Sequence, residues 1–112
     1  MPQLSFVTVD VFTSTRFKGN PLAIVTIPSG HHLETDRLQQ MAKEFNLSET
    51  VFLYENTNEN HVEWRIRIFV THAEIPFAGH PTIGTAWYVL SELAPGSTHG
   101  SFLCNAGPID VE

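Results

Sequence analysis

With 112 residues, 42% of them hydrophobic, and a formal net charge of −6, the chain has the size of one domain, spanning 1–112, and can bury a modest core. Its 6 lysines and arginines are too few and too scattered to build a phosphate-binding surface, which excludes nucleic acid as a partner. No apolar run approaches the roughly 20 residues that cross a bilayer, residues 1–6 lack a secretory pattern, and the single Cys104 makes no internal disulfide; the expectation is a cytoplasmic protein without membrane contact.

Residues 4–12 read as a strand, with Phe6, Thr8 and Asp10 alternating with Val7, Val9 and Val11. A polar loop ends in Gly19-Asn20-Pro21, and 21–27 is a second apolar run of strand length, closed by the turn signal Pro28-Ser29-Gly30. Leu38, Met41, Ala42 and Phe45 fall at helical spacing and predict an amphipathic helix over 34–46. Glu34, Thr35 or Asp36 can cap its start, and Asn46 suits its end. A third strand over 48–55 and a polar turn over 56–60 precede the clearest period-two pattern of the chain, a strand over 61–70. There Val62, Trp64, Ile66, Ile68 and Val70 share one face, and Glu63, Arg65, Arg67 and Phe69 the other.

Residues 73–81 read as irregular. Pro81 then opens a second helix that runs to about Leu93, since a proline in the first turn gives up no hydrogen bond. Ile83, Ala86, Trp87, Val89, Leu90 and Leu93 cover much of its circumference, which predicts burial on most sides. Gly84, Thr85 and Ala86 are small and permit close approach of strands. Residues 101–104 and 108–111 are short strands around Asn105-Ala106-Gly107. The outline is an α+β arrangement, a mixed sheet wrapped around one apolar helix with a second helix outside.

Three segments can carry chemistry. In Asn46-Leu47-Ser48-Glu49-Thr50, Glu49 follows a serine that can orient it and precedes the apolar Val51 and Phe52. A carboxylate in a half-apolar setting holds a proton more readily and can take and return one near neutral pH; the plainer alternative is a solvated glutamate at a strand edge. In Ala78-Gly79-His80-Pro81-Thr82, a helix start exposes backbone N–H groups on which a small carboxylate can dock, with His80 adding a hydrogen bond or relaying a proton. The alternative is a helix entry with His80 as its cap. Asn20 either contacts a ligand or closes a turn on its own backbone. The histidines show no zinc-like spacing, and Cys104 has no basic neighbour in sequence to activate it as a nucleophile. The Arg65/Arg67 pair reads as solvated sheet surface.

The stretches VDVFTSTRFKGNPLAIV at 9–25, FNLSETVFL at 45–53 and RIRIFVTHAEIPFAGHPTIGTAW at 65–87 together resemble the PhzF-like (phenazine biosynthesis) isomerase family, and the tail SFLCNAGPIDVE is similar to its next strand pair. The resemblance implies a diaminopimelate epimerase-like fold of two similar domains, each a sheet rolled around a central helix, of which this chain would be the N-terminal half. It implies a cofactor-independent and metal-free proton shift in a small carboxylate such as a dihydro-hydroxyanthranilate. Glu49 would be general acid/base and His80 its partner in the pocket, with Asn20, Gly79 and Pro81 contacting substrate. The cysteine that epimerases and racemases of this fold place before the glycine is Ala78 here, which disfavours two-cysteine racemization; a racemase recruiting Cys104 is the remaining thiol alternative. Family members are more than twice this length, so a homodimer, a second half-domain, or a catalytically silent binding module are the expected forms of partnership.

Overall fold

The computed structural model describes residues 5–11, 20–28, 33–54, 63–76, 78–89 and 100–111. The loop at 13–19, the turns at 29–30 and 56–60, the second helix from Leu90 onward, and the side chains of Asn20 and His80 lie outside the described residues. The described elements are β1 (Ser5–Val11), β2 (Asn20–Ile27), α1 (Thr35–Phe45), β3 (Thr50–Tyr54), β4 (Glu63–Phe69), β5 (Glu74–Ile75), α2 (Gly79–Tyr88), β6 (Gly100–Cys104) and β7 (Gly107–Val111).

The strands form one mixed sheet in the order β1-β2-β3-β4-β6-β7, with β5 paired to β4 beside this path. Two neighbouring pairs are parallel, β2 with β3 and β4 with β6. Parallel neighbours require a crossover, because a tight turn cannot return the chain to the same end. The helices supply both crossovers, α1 between β2 and β3 and α2 between β4 and β6.

Strand alternation then builds two cores. On the α2 side, Leu22, Ile24, Val51, Leu53, Trp64, Ile66, Ile68, Phe102 and Cys104 pack with Ala86 and Val89. On the α1 side, Val25, Ile27, Phe52 and Phe69 pack with Leu38 and Ala42. Phe52 and Phe69 meet edge to face, their centroids 5.3 Å apart and their planes at 89°. Each fully buried aliphatic or aromatic side chain contributes about 1.5–3 kcal/mol, so the sheet is stabilised from both faces.

α1 follows its pattern closely. Leu38 and Ala42 are buried one turn apart, and Met41 and Phe45 pack beside them. Asn46 terminates it in the left-handed conformation (φ 54°), its N–H donating to the Ala42 carbonyl at 3.1 Å. Asparagine tolerates that backbone better than most residues, which explains the stop.

The structure corrects the sequence reading in two places. The segment at 73–81 contains a strand, since Ile75 pairs with Ile68 and Glu74 with Phe69. Helix α2 starts at Gly79, two residues before Pro81. Pro81 still sits in the first turn, where its missing N–H costs no intrahelical bond, and the cap position is Ala78 rather than His80. As expected, α2 is buried on most sides: Pro81, Thr82, Gly84, Thr85, Ala86 and Val89 are all buried. Its small residues Thr85 and Ala86 are buried against the sheet, but Ile83 and Trp87 are 51% and 57% exposed.

Candidate active-site corner

Register aligns four strands in one row. Thr50 opens β3 opposite Ala23 of β2 and Phe69 of β4, and Phe69 in turn pairs with Glu74 of β5. Glu49 lies one residue before this row, at the end where β3 begins. Asn20 begins β2 at the same end, paired with Val11, the last residue of β1. Glu49 is half-buried.

From Ile75 the chain reaches Gly79 in four residues, a span of at most about 14 Å. The helix entrance is therefore tethered closely to the row that contains Thr50. Its local chemistry is open. The N-cap Ala78 has extended backbone and makes no side-chain cap bond, and the first turn carries no acidic residue. Gly79 is exposed, and a Cβ added there would meet nothing within 4 Å. Pro81 is buried, while Thr82 turns inward and bonds back to the Ala78 carbonyl, its Oγ1 donating at 2.8 Å. Such an end leaves backbone donors and the positive pole of the helix without a carboxylate from the helix itself.

Register thus brings Glu49 and the start of β2 at Asn20 to one end of the sheet, with the Gly79–Pro81 segment tethered nearby. It does not bring Cys104 there. Cys104 follows Leu103, the partner of Arg65 in the first half of β4. It is buried in the α2-side core, and its thiol donates to the Gly107 carbonyl at 3.2 Å. That is the setting of a small core residue, and it lends nothing to a racemase that recruits this thiol.

The sequence reading also missed a charged cluster beside this end. Arg67, expected to be solvated, forms a two-pronged pair with Glu74, Nε to Oε2 at 2.9 Å and Nη2 to Oε1 at 2.7 Å. Arg67 Nη2 also donates to Thr35 Oγ1 at 3.0 Å, and Asn105 Nδ2 donates to Glu74 Oε2 at 2.9 Å. The bonds from Arg67 hold the Glu74 carboxyl below its ordinary value, against a smaller opposing effect of burial. Arg65, two residues earlier, is exposed as expected and lies over the Tyr54 ring. The alternation of β4 placed Arg67 on the correct face, but only the β4–β5 pairing revealed its partner.

A mixed sheet with an apolar, uncapped helix on one face and an amphipathic crossover helix on the other defines an α+β domain of the epimerase-like type. The solved phenazine biosynthesis protein (PhzF family) of Enterococcus faecalis superposes on 96% of the chain with a TM-score of 0.83 at 30% identity. The chain belongs to the phenazine biosynthesis-like (PhzC/PhzF) family, whose sequence pattern matches residues 9–112. It is 48% identical over 97% of its length to an uncharacterized isomerase of Mesorhizobium japonicum. It is 42% identical over 72% of its length to the trans-2,3-dihydro-3-hydroxyanthranilate isomerase of Pseudomonas aeruginosa. The chain spans only 35%, 28% and 39% of the lengths of the Mesorhizobium, Pseudomonas and Enterococcus proteins.

Proposed function

We propose that the chain provides the proton-transferring half of a PhzF-like isomerase active site. Its reaction is a cofactor-independent proton shift in a small carboxylate of the dihydro-hydroxyanthranilate type, and Glu49 is the general acid/base. The half-buried position of Glu49 immediately before β3, at the end of the sheet where β2 also begins, is the observation that carries this reading. Similarity to a trans-2,3-dihydro-3-hydroxyanthranilate isomerase supports the choice of substrate class.

The Glu49 carboxylate removes a proton from one ring carbon of the substrate. The electron pair left behind delocalises through the conjugated ring, and the carboxylic acid then returns the proton to a second carbon. Nothing is oxidised or reduced, and the glutamate ends as it began, so the step needs no cofactor or metal. The substrate carboxylate is held by the amides at the Gly79 entrance, where the helix dipole favours an anion and where Gly79 leaves room for one. His80 assists with a hydrogen bond, and Asn20 and Pro81 line the site.

In deuterated water, with trans-2,3-dihydro-3-hydroxyanthranilate as substrate, the full-length protein should place solvent deuterium at the carbon that receives the proton. Glu49→Gln should slow turnover by about 10²–10⁴-fold, the usual cost of losing a general acid/base. Unchanged deuterium incorporation in that variant would remove Glu49 from the role.

A second reading is favoured by Ile83 and Trp87, which lie one turn apart and expose more than half of their surface. In this reading the chain is catalytically silent by itself and acts as a binding module, associating through the exposed side of α2 with a second copy or with a second half-domain. Native mass measurement separates the two readings: a strictly monomeric chain that turns over substrate contradicts the second.

A further inference from the structure

β5 is only two residues long and meets β4 through two residue pairs. A strand that short is marginal by itself, yet the chain that follows it delivers the entrance of α2. What holds β5 is Glu74. Its Oε1 accepts from Arg67 Nη2, and its Oε2 accepts from both Arg67 Nε and Asn105 Nδ2. Arg67 continues to Thr35 on the first turn of α1. Gln39, one turn further along α1, donates to the Val70 carbonyl at 2.9 Å, and the Val70 N–H donates to the Ala73 carbonyl at 2.8 Å, which closes the loop between β4 and β5. β4, β5 and the turn between β6 and β7 therefore meet at one carboxylate, and α1 joins them through Arg67. Arg67 and Glu74 keep side-chain exposures of only 13% and 18%, where a fork-to-fork pair is stronger and more directional than a surface contact.

We propose that Arg67 and Glu74 are a positioning pair that clamps the β4–β5 hairpin onto α1 and the β6–β7 turn and so fixes the Gly79–Pro81 entrance relative to Glu49. The proposal rests on the isomerase reading for its catalytic consequence but not for its structural one. Both oxygens of Glu74 are occupied by donors, so Glu74 is not itself a base for the substrate.

Amide hydrogen exchange on the full-length protein tests the clamp without substrate. Glu74→Gln removes the charge and one acceptor, and Arg67→Lys keeps the charge but loses the fork. In each, the bonded amides of the first turns of α2, Thr82 to Thr85, should exchange about tenfold faster, while those of β2 and β3 keep their rates. Uniform acceleration across the sheet, or none at the entrance, would overturn the proposal, because either result makes the pair a general stabiliser or an inert one. If Glu74→Gln does not fold, Arg67→Lys decides. Turnover of trans-2,3-dihydro-3-hydroxyanthranilate is read in parallel. The clamp variants should lose kcat/KM mainly through a raised KM, as the carboxylate anchor loosens, whereas Glu49→Gln should lose kcat. A parent protein without turnover defeats the isomerase reading while leaving the exchange result to judge the clamp.

Discussion

The two helices of this chain are built to different ends. α1 has an acidic residue, Asp36, in its first turn and a basic one, Lys43, in its last, both suited to the helix dipole, and it closes on Asn46 in the left-handed conformation. Its apolar stripe is covered and its polar side faces solvent. α2 has no charged residue at either end. It begins at an exposed glycine and shows Ile83 and Trp87 to solvent while burying Thr82 and Thr85. In α1 most local features serve the stability of the helix, although its N-cap, like that of α2, makes no side-chain cap bond. In α2 several do not, and departures from the stabilising pattern concentrate where a site or a partner is served instead. The sheet separates the two helices, with the α1-side core on one face and the α2-side core on the other.

That division can be broken by experiment. The largest expected effect is on rate: Glu49→Gln should lose about 10²–10⁴ in turnover yet leave the denaturation midpoint within about 0.5 kcal/mol of the parent. Leu38→Ala should behave in the opposite way. It empties a fully buried position between α1 and the sheet, at a cost of about 2–5 kcal/mol, and the surviving folded fraction should keep its turnover. Loss of specific activity from Leu38→Ala in folded protein would mean that the two faces are not separate.

A smaller effect is set by pH. Hydrogen bonds from Arg67 hold the Glu74 carboxyl below its ordinary value of 4.5, so between those two values the unfolded chain binds more protons than the folded one. The stabilisation is complete above about pH 4.5 and fades as pH falls through the lower, folded value. Denaturation of the parent and of Glu74→Gln should therefore differ by about 1 kcal/mol near neutrality, a modest figure for a partly exposed pair, and the gap should close in acid. A gap independent of pH would show that the charge of Glu74 is not what stabilises.

The smallest expected effect on stability belongs to the other helix. Trp87→Ser removes an exposed side chain and should change the stability of the chain by no more than about 0.5 kcal/mol. Any self-association measured by sedimentation should weaken in the same variant. A stability loss as large as that of Leu38→Ala would contradict the exposure of Trp87.

The features that were legible in the sequence are those with a local physical cause. The alternation of β4 reports which residues share a face, because side chains on a strand point to opposite sides. The Leu38–Ala42 spacing reports the buried stripe of α1, and Asn46 its end. The stretches around Glu49 and His80 marked the family before any fold was in view. β5 was not legible, because two residues carry no period, and Glu74 and Ile75 form a strand only through the edge of β4. The same pairing turned Arg67 from a surface cation into half of a clamp. The apolar residues of α2 announced a helix buried on most sides without saying that Ile83 and Trp87 would stay open, since burial depends on what packs against a helix rather than on its own composition.

By itself the sequence determined the α+β class, the two helices, the family and the candidate proton carrier, since periodicity, turn chemistry and motif are written in neighbouring residues. The tertiary structure alone decided the level of Glu49 in the sheet, the union of Arg67 with Glu74 and Asn105, and the exposed side of α2. Those depend on strand register and on contacts between residues far apart in the chain, which no local pattern encodes.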